Sequence, residues 1–488
     1  MERKPLTAGP VFSTMCMFAL PMILGNLLQQ CYNITDTLIV GKFLGAGALA
    51  AVGSSFTLMT FLTSILLGLC MGSGAVFSIR FGRQDETGLR DCISASFLLI
   101  ACFTILLNIL AFLFLNSIRI LLQVPDEVWG LMREYLIVIL GGITATFFYN
   151  YFASFLRALG NSIVPLLFLA VCALLNTALD LFFVLGLEYG VSGAAWATVI
   201  SQYISGTGIA IYTIARCPQF HGILRHCRIR PECMKEIAGF SIMTCIQQSV
   251  MNFGILMIQG LVNSFGAVVM AAFAAAVKID AFAYMPVQDF GNAFSTFIAQ
   301  NYGAGNKERI RKGLKGAIAV SFLFCIVISA SVWIYARPLM ELFVNKNESE
   351  IILEGIRYLH IEGAFYCGIG CLFLLYGLYR AVGNPGISVV LTVISLGTRV
   401  LLAYLLSAIP AIGVTGIWWA IPIGWILADT VGILYYKNWH GQLFCNWLFI
   451  PIHSGSTVWS DTGDTAQHIP KYLIRIAVSS EKGKKVLL

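Results

Sequence analysis

Long runs of apolar residues follow one another along most of the chain, and short polar stretches separate them. A helix that crosses a bilayer needs about 20 mainly apolar residues, and most of these runs reach that length although a Gly, Pro or polar residue interrupts them. The pattern predicts twelve membrane spans, over residues 12–38, 47–78, 93–115, 131–156, 163–186, 193–215, 237–262, 270–300, 315–336, 353–379, 387–408 and 414–436. Because twelve is even, both termini are expected on the same side of the membrane.

The composition excludes a water-soluble protein. The chain has 488 residues, of which 58% are hydrophobic and 11% are charged, and its mean hydropathy is +0.82. Soluble domains carry about 25% charged residues, so the charged residues of this chain are too few to cover a water-facing surface. Globular enzymes and most nucleic-acid binders are therefore excluded. The sequence has no zinc-protease, P-loop or dinucleotide-binding motif, which favours a protein that is not an enzyme and has no cofactor.

Basic residues cluster between the apolar runs on one side of the predicted membrane. With the N-terminus inside, the inner segments hold about three times as many Lys and Arg residues as the outer loops, as the positive-inside rule requires. The net charge of +7 reflects this distribution and not a patch that binds nucleic acid. We therefore expect both termini to be cytoplasmic.

Four short sequence patterns occur twice, in the same order. The patterns that begin at Gly45, Gly82, Arg157 (RALGN) and Gly190 (GVSG) recur at Gly266, Gly303, Arg380 (RAVGN) and Gly413 (GVTG). Six spans in each repeat give both copies the same polarity, so an axis along the membrane normal relates them, as in transporters whose halves rock about a central site. The predicted fold is an all-α polytopic membrane protein, with twelve transmembrane helices in two six-helix bundles.

The repeat divides the chain into four parts. Residues 1–216 are predicted to form the N-terminal bundle (the N-lobe), 217–236 a cytoplasmic linker, 237–440 the C-terminal bundle (the C-lobe) and 441–488 a cytoplasmic tail. The Cys and His residues of the linker fit no regular zinc spacing, so we expect no metal there. Most of the 14 Cys residues lie in apolar segments, where free thiols are expected.

Four polar residues of the N-lobe indicate a site for a coupling ion. A charge at the bilayer centre costs about 3 kcal/mol on insertion scales, so Asp36 and Asp180 need a partner or a cavity. Asn176 and Asp180 are four residues apart on one helix face, and helical rise places Thr198 and Asp36 at the same depth. Together they could bind a monovalent cation or hold a proton. Alternatively, Asp36 is exposed at the mouth of its helix and Asp180 is a hydrogen-bonded structural acid.

Other polar and aromatic residues inside the spans are candidates for the lining of a cavity. They are Gln29, Asn33, Tyr149, Gln247, Tyr284, Met285 and Gln288. Such side chains suit flat cationic amphiphiles through cation–π contacts and adaptable packing. Lys278 and Asp280 either pair with other spans or line the cavity. Pro21 removes a backbone hydrogen bond from span 1, so it is either a hinge or a bend with a structural role only.

Two stretches resemble the MATE (multidrug and toxic compound extrusion) family of transporters. The first comprises Leu20-Pro21, residues 30–36 (QCYNITD), Val40-Gly41 and residues 45–53 (GAGALAAVG), and the second comprises Asn176 to Asp180, Gly190, residues 193–195 and Ala197-Thr198. The resemblance covers about residues 10–437. It implies a V-shaped pair of bundles in the bacterial plasma (inner) membrane, which exports organic cations or amphiphiles as Na⁺ or H⁺ enters.

The resemblance also assigns Asp36, Asn176, Asp180 and Thr198 to the cation or proton site of the N-lobe. The NorM-like branch of the family has further acids in spans 7 and 10. Here span 7 has Gln247 and Gln248 in place of an acid, and the pattern indicates no Asp or Glu well inside span 10. This difference favours a DinF-like or related bacterial branch.

Three functions remain open at this point. An exporter would have small organic cations or amphiphiles and membrane lipid as partners, would bind no nucleic acid, and is expected to be a monomer. A flippase of lipid or lipid-linked oligosaccharide would need a continuous basic cavity, whereas Lys278 and Arg399 are the only basic residues well inside the predicted spans. A receptor or channel would show electrogenic flux without substrate exchange.

Overall fold

A computed structural model describes residues 6–121, 126–220 and 230–446, which form helices and turns and contain no strand. The chain divides into two compact units, Met1–Tyr435 and Tyr436–Leu488. The second unit is described only as far as Asn446, as the end of the last helix. Most of the predicted linker, over 221–229, and the tail from 447 onwards lie outside the described residues.

The N-lobe begins with a helix, α1 (Val11–Gly82), that breaks at Gly45, where φ is 86°. The break divides it into α1a (Val11–Gly45) and α1b (Gly47–Gly82). The lobe continues with α2 (Glu86–Leu113), α3 (Leu115–Leu121), α4 (Asp126–Gly141), α5 (Ile143–Ala158), α6 (Ile163–Asp180), a π-helical turn (Leu181–Gly186) and α7 (Gly190–Arg216). A short 3₁₀ turn (Pro218–Phe220) follows.

The C-lobe repeats this order. It comprises α8 (Pro231–Asn263), α9 (Ala267–Gly303), α10 (Lys307–Met340), α11 (Ser349–Gly363), α12 (Tyr366–Ala381), α13 (Pro385–Ser407) and α14 (Val414–Asn446). Buried apolar residues form two clusters, one mainly from α1b, α2, α4, α5 and α7 of the N-lobe and the other from α8 to α14 of the C-lobe.

Nine helices in the described part of the chain are long and apolar enough to cross a membrane, and eleven if each of two bent pairs counts as one span. The bent pairs are Glu127–Gly141 with Ile143–Ala158, at 42°, and Ser349–Gly363 with Tyr366–Ala381, at 51°. The sequence pattern predicted both as continuous helices, spans 4 and 10. Helix α7 completes the twelve predicted spans, and its many Gly, Ser and Thr residues lower its hydropathy. The twelve-helix, two-bundle fold is confirmed.

The two lobes share individual backbone turns. The pairs Gly45 and Gly266, Gly160 and Gly383, and Gly190 and Gly413 have φ of 86° and 96°, 87° and 94°, and 59° and 53°. Glycine adopts positive φ without steric cost, which explains why these positions keep it in both copies. Asp85 and Asn306 each cap the following helix by accepting a hydrogen bond from the amide three residues later. The predicted duplication is therefore present in the backbone.

The lobes approach each other most closely at a group of four glycines, Gly68, Gly72, Gly82 and Gly303, which we call the glycine seam. A Cβ atom added to Gly82 would lie 2.0 Å from the carbonyl oxygen of Gln300, and one added to Gly303 would lie 2.1 Å from that of Ile79. The sequence separation between residues 79 and 300 is the same as that between residues 82 and 303. The contact is thus self-complementary about the axis that relates the lobes.

The other two glycines of the seam place α1b directly on α8. A Cβ atom added to Gly68 would lie 2.6 Å from the Cα atom of Cys245, and one added to Gly72 would lie 2.5 Å from the carbonyl oxygen of Phe240. Small residues four positions apart allow this backbone contact between membrane helices. The seam closes one end of the space between the lobes, and we call this the inner end.

Polar contacts support the inner end. Arg80 donates to Asp85 at 2.8 Å and also forms an ion pair with Glu236 of the other lobe. The hydroxyl groups of Ser73 and Ser241 hydrogen-bond at 2.8 Å across the lobes. Burial opposes ionisation of Asp85, but hydrogen bonds from the Gly88 amide and from Arg80 outweigh it and lower the pKa of this carboxyl group. Asp85 therefore keeps its charge, and its bridge, at neutral pH.

The chain before α1 is tied to the C-lobe at the inner end. Arg309 donates to the carbonyl oxygens of Leu6, at 3.0 Å, and Gly9, at 2.6 Å. The side-chain oxygen of Gln300 accepts from the Leu6 amide at 3.0 Å, and its amide group donates to the Ala158 carbonyl at 2.7 Å. The start of α1a, the end of α5 and the end of α9 are thus joined at one point.

We expect Gly82→Ala and Gly303→Ala each to destabilise the described conformation, because the added methyl group would overlap a carbonyl oxygen. Overpacking of this kind costs about 1–3 kcal/mol. Thermal unfolding of the purified protein in detergent measures the loss. Gly239→Ala on α8 is the matched control, because its Cβ would have no atom within 4 Å, and it should unfold no earlier than the wild type. Equal melting temperatures for all three variants would contradict the close contact.

Candidate functional site

A cavity of about 580 Å³ lies between the lobes. Helices α1 and α4 to α7 of the N-lobe and α8, α9 and α11 to α14 of the C-lobe contribute side chains to its wall. This volume falls in the range of about 300–1,000 Å³ that is typical of small-molecule sites. The cavity reaches the inner end, because Ala158 lines it and also accepts the hydrogen bond from Gln300.

The structure places the four predicted ion-site residues of the N-lobe close together. Asn176 donates to the hydroxyl group of Thr198 at 3.2 Å. Asp36 lies near enough to Asp180 for the two charges to interact. Asp36 and Thr198 line the cavity, whereas Asn176 and Asp180 are fully buried behind them. Asp36 is half-buried, so it does not lie free at the mouth of its helix.

Several oxygen atoms of this group have no hydrogen-bond partner among the described residues. They are Oδ1 of Asp36, Oδ1 of Asn176 and both carboxyl oxygens of Asp180. Buried oxygen atoms are normally satisfied, and each unsatisfied one costs about 1–3 kcal/mol. Carboxylate and amide oxygens are also the groups that bind hard cations. The arrangement can accept a cation or a proton.

The local fold explains how these residues meet. Asn176 and Asp180 share one face of α6, as their spacing predicted. After Asp180 the helix changes to the π-helical turn Leu181–Gly186. Such turns occur often at functional sites. Thr198 reaches the group from α7, which packs beside α6.

Most of the predicted cavity residues line the cavity. They are Gln29, Asn33, Tyr149, Asp280, Tyr284, Met285 and Gln288. The structure does not place Gln247 or Lys278 there. Gln247 is buried on another face of α8 while its neighbour Gln248 lines the cavity, and Lys278 is exposed on α9. Successive residues point in different directions on a helix, so a polar residue in a span does not identify the inward face.

The expectation that span 10 has no acid well inside it is wrong. Glu362, on α11, is buried with 3% of its surface exposed, and it lines the cavity near Asp280 and Arg399. The bend between α11 and α12 turns this part of the chain towards the cavity. The sequence signal was Glu362 itself, an acid nine residues after the start of the predicted span 353–379.

These residues form a second polar group, in the C-lobe, which we call the C-lobe cluster: Asp280, Glu362, Arg399 and Tyr366. One atom of each side chain is buried without a hydrogen-bond partner in the described part of the chain, namely Oδ1, Oε2, Nε and the hydroxyl oxygen. Arg399 is the counterpart of Asn176 and Ala403 that of Asp180, since both pairs are 223 residues apart. The C-lobe therefore has two acids and one cation where the N-lobe has two acids and an amide.

The inner floor of the cavity carries charges that the sequence pattern assigned to inner loops. Arg157 and Arg380 both line the cavity, as does Asp289, which lies near enough to Arg157 for their charges to interact. Asn26 of α1a donates to both oxygens of Asp289, at 2.6 Å. Arg380, with 5% of its surface exposed, donates to Asn292 at 2.9 Å and to Ser295 at 3.3 Å. The helices therefore extend further than predicted, and these arginines belong to the cavity.

The structure gives three further observations, on Pro21, on possible metal ligands and on the linker. The backbone of α1a is helical at Pro21, and the only break in α1 is at Gly45. No group of three His, Cys, Asp or Glu residues in the described part of the chain could hold a metal ion. The zinc alternative for the linker falls mainly on residues outside the described ranges.

We expect Arg399→Met to destabilise the protein by about 3–5 kcal/mol, because it leaves Asp280 and Glu362 buried without a nearby cation. The double variant Arg399→Met, Glu362→Met removes one of the two uncompensated charges and should be more stable than the single variant. Thermal unfolding in detergent measures both. Lys278→Met is the control, since Lys278 is an exposed cation on the same lobe. Additive effects of the two substitutions would show that the side chains do not interact.

Known proteins are similar to this chain in sequence and in fold. The family model MatE matches residues 21–182 and 241–405. The probable multidrug resistance protein YpnP of Bacillus subtilis is 30% identical over 448 residues, which cover 90% of this chain and 97% of that protein. The probable multidrug resistance protein NorM of Thermotoga maritima is 26% identical over 428 residues, which cover 86% of this chain and 91% of that protein.

The fold is also that of solved transporters. A MATE protein crystallised in a bent conformation superposes with a TM-score of 0.83 at 24% identity, over 91% of this chain and 98% of that chain. The matched regions of the family model fall in both lobes and include the acids Asp36, Asp180, Asp280 and Glu362. The chain is a multi-pass membrane protein that belongs to the MatE family.

Proposed function

We propose that this protein is a secondary antiporter that exports organic cations or amphiphilic drugs in exchange for H⁺ or Na⁺. The observation that carries the proposal is the pair of acids Asp36 and Asp180, whose unpartnered oxygens lie in and behind the wall of a cavity between two repeated bundles. A cation or proton bound there would offset the cost of the buried charge. Asp36 would meet the ion from the cavity, and Asp180, Asn176 and Thr198 would complete the site.

The closed inner end supports transport by alternating access. The glycine seam and the Arg80–Glu236 pair join the lobes at the end that carries the basic loops. By the positive-inside rule this end faces the cytoplasm, with both termini, and the described conformation is outward-facing. Rocking of the two lobes about their common axis would open the seam and close the opposite end.

The cavity wall supports amphiphilic cations as the cargo. Tyr32, Tyr149, Tyr284 and Met285 offer aromatic and thioether surfaces, and Asp280 and Glu362 offer negative charge. The relatives named above are multidrug resistance proteins of bacteria, which supports export from a bacterial cell and a place in the plasma membrane. A flippase of lipid-linked cargo would need a continuous basic cavity wall, whereas the wall of this cavity contains both acids and arginines. We propose that the protein acts as a monomer and needs no cofactor besides the coupling ion.

We expect Asp36→Asn and Asp180→Asn each to slow gradient-driven export at least about tenfold, which corresponds to the loss of about 1.4 kcal/mol of ion binding. Asn keeps the shape of the side chain and removes the charge. The measurement is dye efflux from proteoliposomes that contain equal amounts of each variant. Glu350→Gln, at an exposed acid at the start of α11, is the control and should leave efflux unchanged. Wild-type efflux by both Asn variants would reject coupling at these acids.

The coupling ion is identified by imposing sodium and pH gradients separately on the same proteoliposomes. An inward gradient of the true coupling ion should drive dye out, and the other gradient should have no effect. The response to the coupling ion should disappear in Asp36→Asn. Dye movement that follows its own gradient and ignores both ions would indicate a channel.

A further inference from the structure

Two arginines occupy equivalent positions on the inner floor of the cavity. Arg157 ends α5 and Arg380 ends α12, in the repeated motifs RALGN and RAVGN, 223 residues apart. Both line the cavity. The proposed export of cations uses neither residue, and a cationic cargo would be repelled by both.

The floor has more positive than negative charge. Neither guanidinium lies within 4.0 Å of a carboxylate in the described part of the chain, where the ion pairs all involve other residues. Asp289 lies near enough to Arg157 for the two charges to interact, but Asn26 already donates to both of its oxygens. In this part of the structure, no ion pair therefore neutralises either guanidinium group. A buried charge without compensation is costly, so the floor favours an additional anion.

The arginines also have free donors. Arg157 has a buried Nε with no hydrogen-bond partner among the described residues. Arg380 is 95% buried, and its bonds to Asn292 and Ser295 use Nε and Nη2 and leave Nη1. A guanidinium presents five N–H donors in a planar fork that matches a carboxylate or phosphate group. The floor thus offers both charge and donors to an oxyanion.

Negatively charged side chains lie further from the inner end. Asp36 is ten residues beyond Asn26 on α1a, which is about 15 Å of helical rise. Asn26 contacts the floor through Asp289, so the N-lobe acids and the arginines lie at different depths of one cavity. A molecule with an ammonium group at one end and an oxyanion at the other would match both levels.

We propose that Arg157 and Arg380 form a subsite for the carboxylate or phosphate group of a zwitterionic amphiphile. The inference rests on the proposed function, because it adds a second recognition element to the same cavity. It predicts that the protein prefers a cation that also carries an oxyanion to the same cation without one.

Rhodamine 19 and its ethyl ester, rhodamine 6G, test the subsite directly. They share one cationic ring system, and only rhodamine 19 has a free carboxylate. Binding to the purified full-length protein in a non-ionic detergent is measured by fluorescence polarisation. We expect the wild type to bind rhodamine 19 about tenfold more tightly, as for one added charged hydrogen bond. Equal affinities for the two dyes in the wild type would overturn the proposal without any variant.

Substitutions then locate the preference. Arg157→Gln and Arg380→Gln should each weaken the binding of rhodamine 19 and should not weaken the binding of rhodamine 6G, because each removes a positive charge that repels the cationic ring system. Lys278→Gln removes a positive charge from an exposed position on α9 and should keep the preference. Equal weakening of both dyes by the arginine variants would show that the guanidiniums only hold the helices together, which overturns the subsite.

Two further measurements identify the oxyanion that binds and separate failure of the subsite from failure of the proposed export. Short-chain phosphatidylcholine that competes with rhodamine 19 would show that the subsite also takes a phosphate headgroup, and lack of competition would restrict it to carboxylates. Gradient-driven efflux of rhodamine 6G reports on the proposed export by itself. A wild type that exports the ester but shows no preference for the acid rejects the subsite alone. Failure to bind or export either dye rejects the exporter as well.

Discussion

Backbone contact between the two lobes at the glycine seam is the constraint on which the other features depend. At Gly82 and Gly303 a carbonyl oxygen of the other lobe occupies the space that a Cβ atom would need. Dispersion forces and polar contacts hold membrane helices together, because lipid gives no hydrophobic gain for packing them. Close packing at one end therefore fixes the lobes there and leaves the cavity between them. The self-complementary geometry also means that opening the seam releases both lobes together.

The polar groups inside the molecule follow from the same arrangement. Charges within a bilayer are costly, and here they concentrate on the cavity and on the contacts between lobes. The floor is crossed by hydrogen bonds such as Asn26 to Asp289, and the lobes are joined there by Gln300 and Arg309. Further from the seam, Asp180 and Glu362 retain oxygen atoms without partners among the described residues. Hydrogen bonds and ion pairs between the lobes thus hold the inner end, while the acids of both lobes keep oxygen atoms that are unpartnered in the described part of the chain, in or behind the cavity wall, where an ion or cargo would bind.

Much of this could be predicted from the sequence, because hydropathy and repetition are strong signals over long windows. The twelve spans and the duplication are confirmed, and seven of the cavity candidates line the cavity. Hydropathy does not report where a helix bends, so the breaks near Gly142 and Phe365 were missed. Glu362 was overlooked although it lies inside predicted span 10, and Arg157 and Arg380 were assigned to loops because spans 4 and 10 were ended one residue too early to include them. Gln247 and Lys278 show a second limit, since the rotation of a helix depends on contacts with its neighbours.

The backbone is nearly symmetric while the side chains are not, and α1a is the element that connects the two unlike halves. Asp36 on this helix belongs to the ion-site group of the N-lobe. On the same helix, Asn26 donates to Asp289 and Gln30 contacts the sulfur of Met285 at 3.2 Å, both on α9 of the C-lobe. The start of α1a is also tied to Arg309 through the carbonyl of Leu6. A change in charge at Asp36 therefore acts on α1a, and the other contacts of this helix join it to the C-lobe. Coupling between ion and cargo needs such a shared element, since two ligands influence each other only when each binds the conformations of the protein with different affinities.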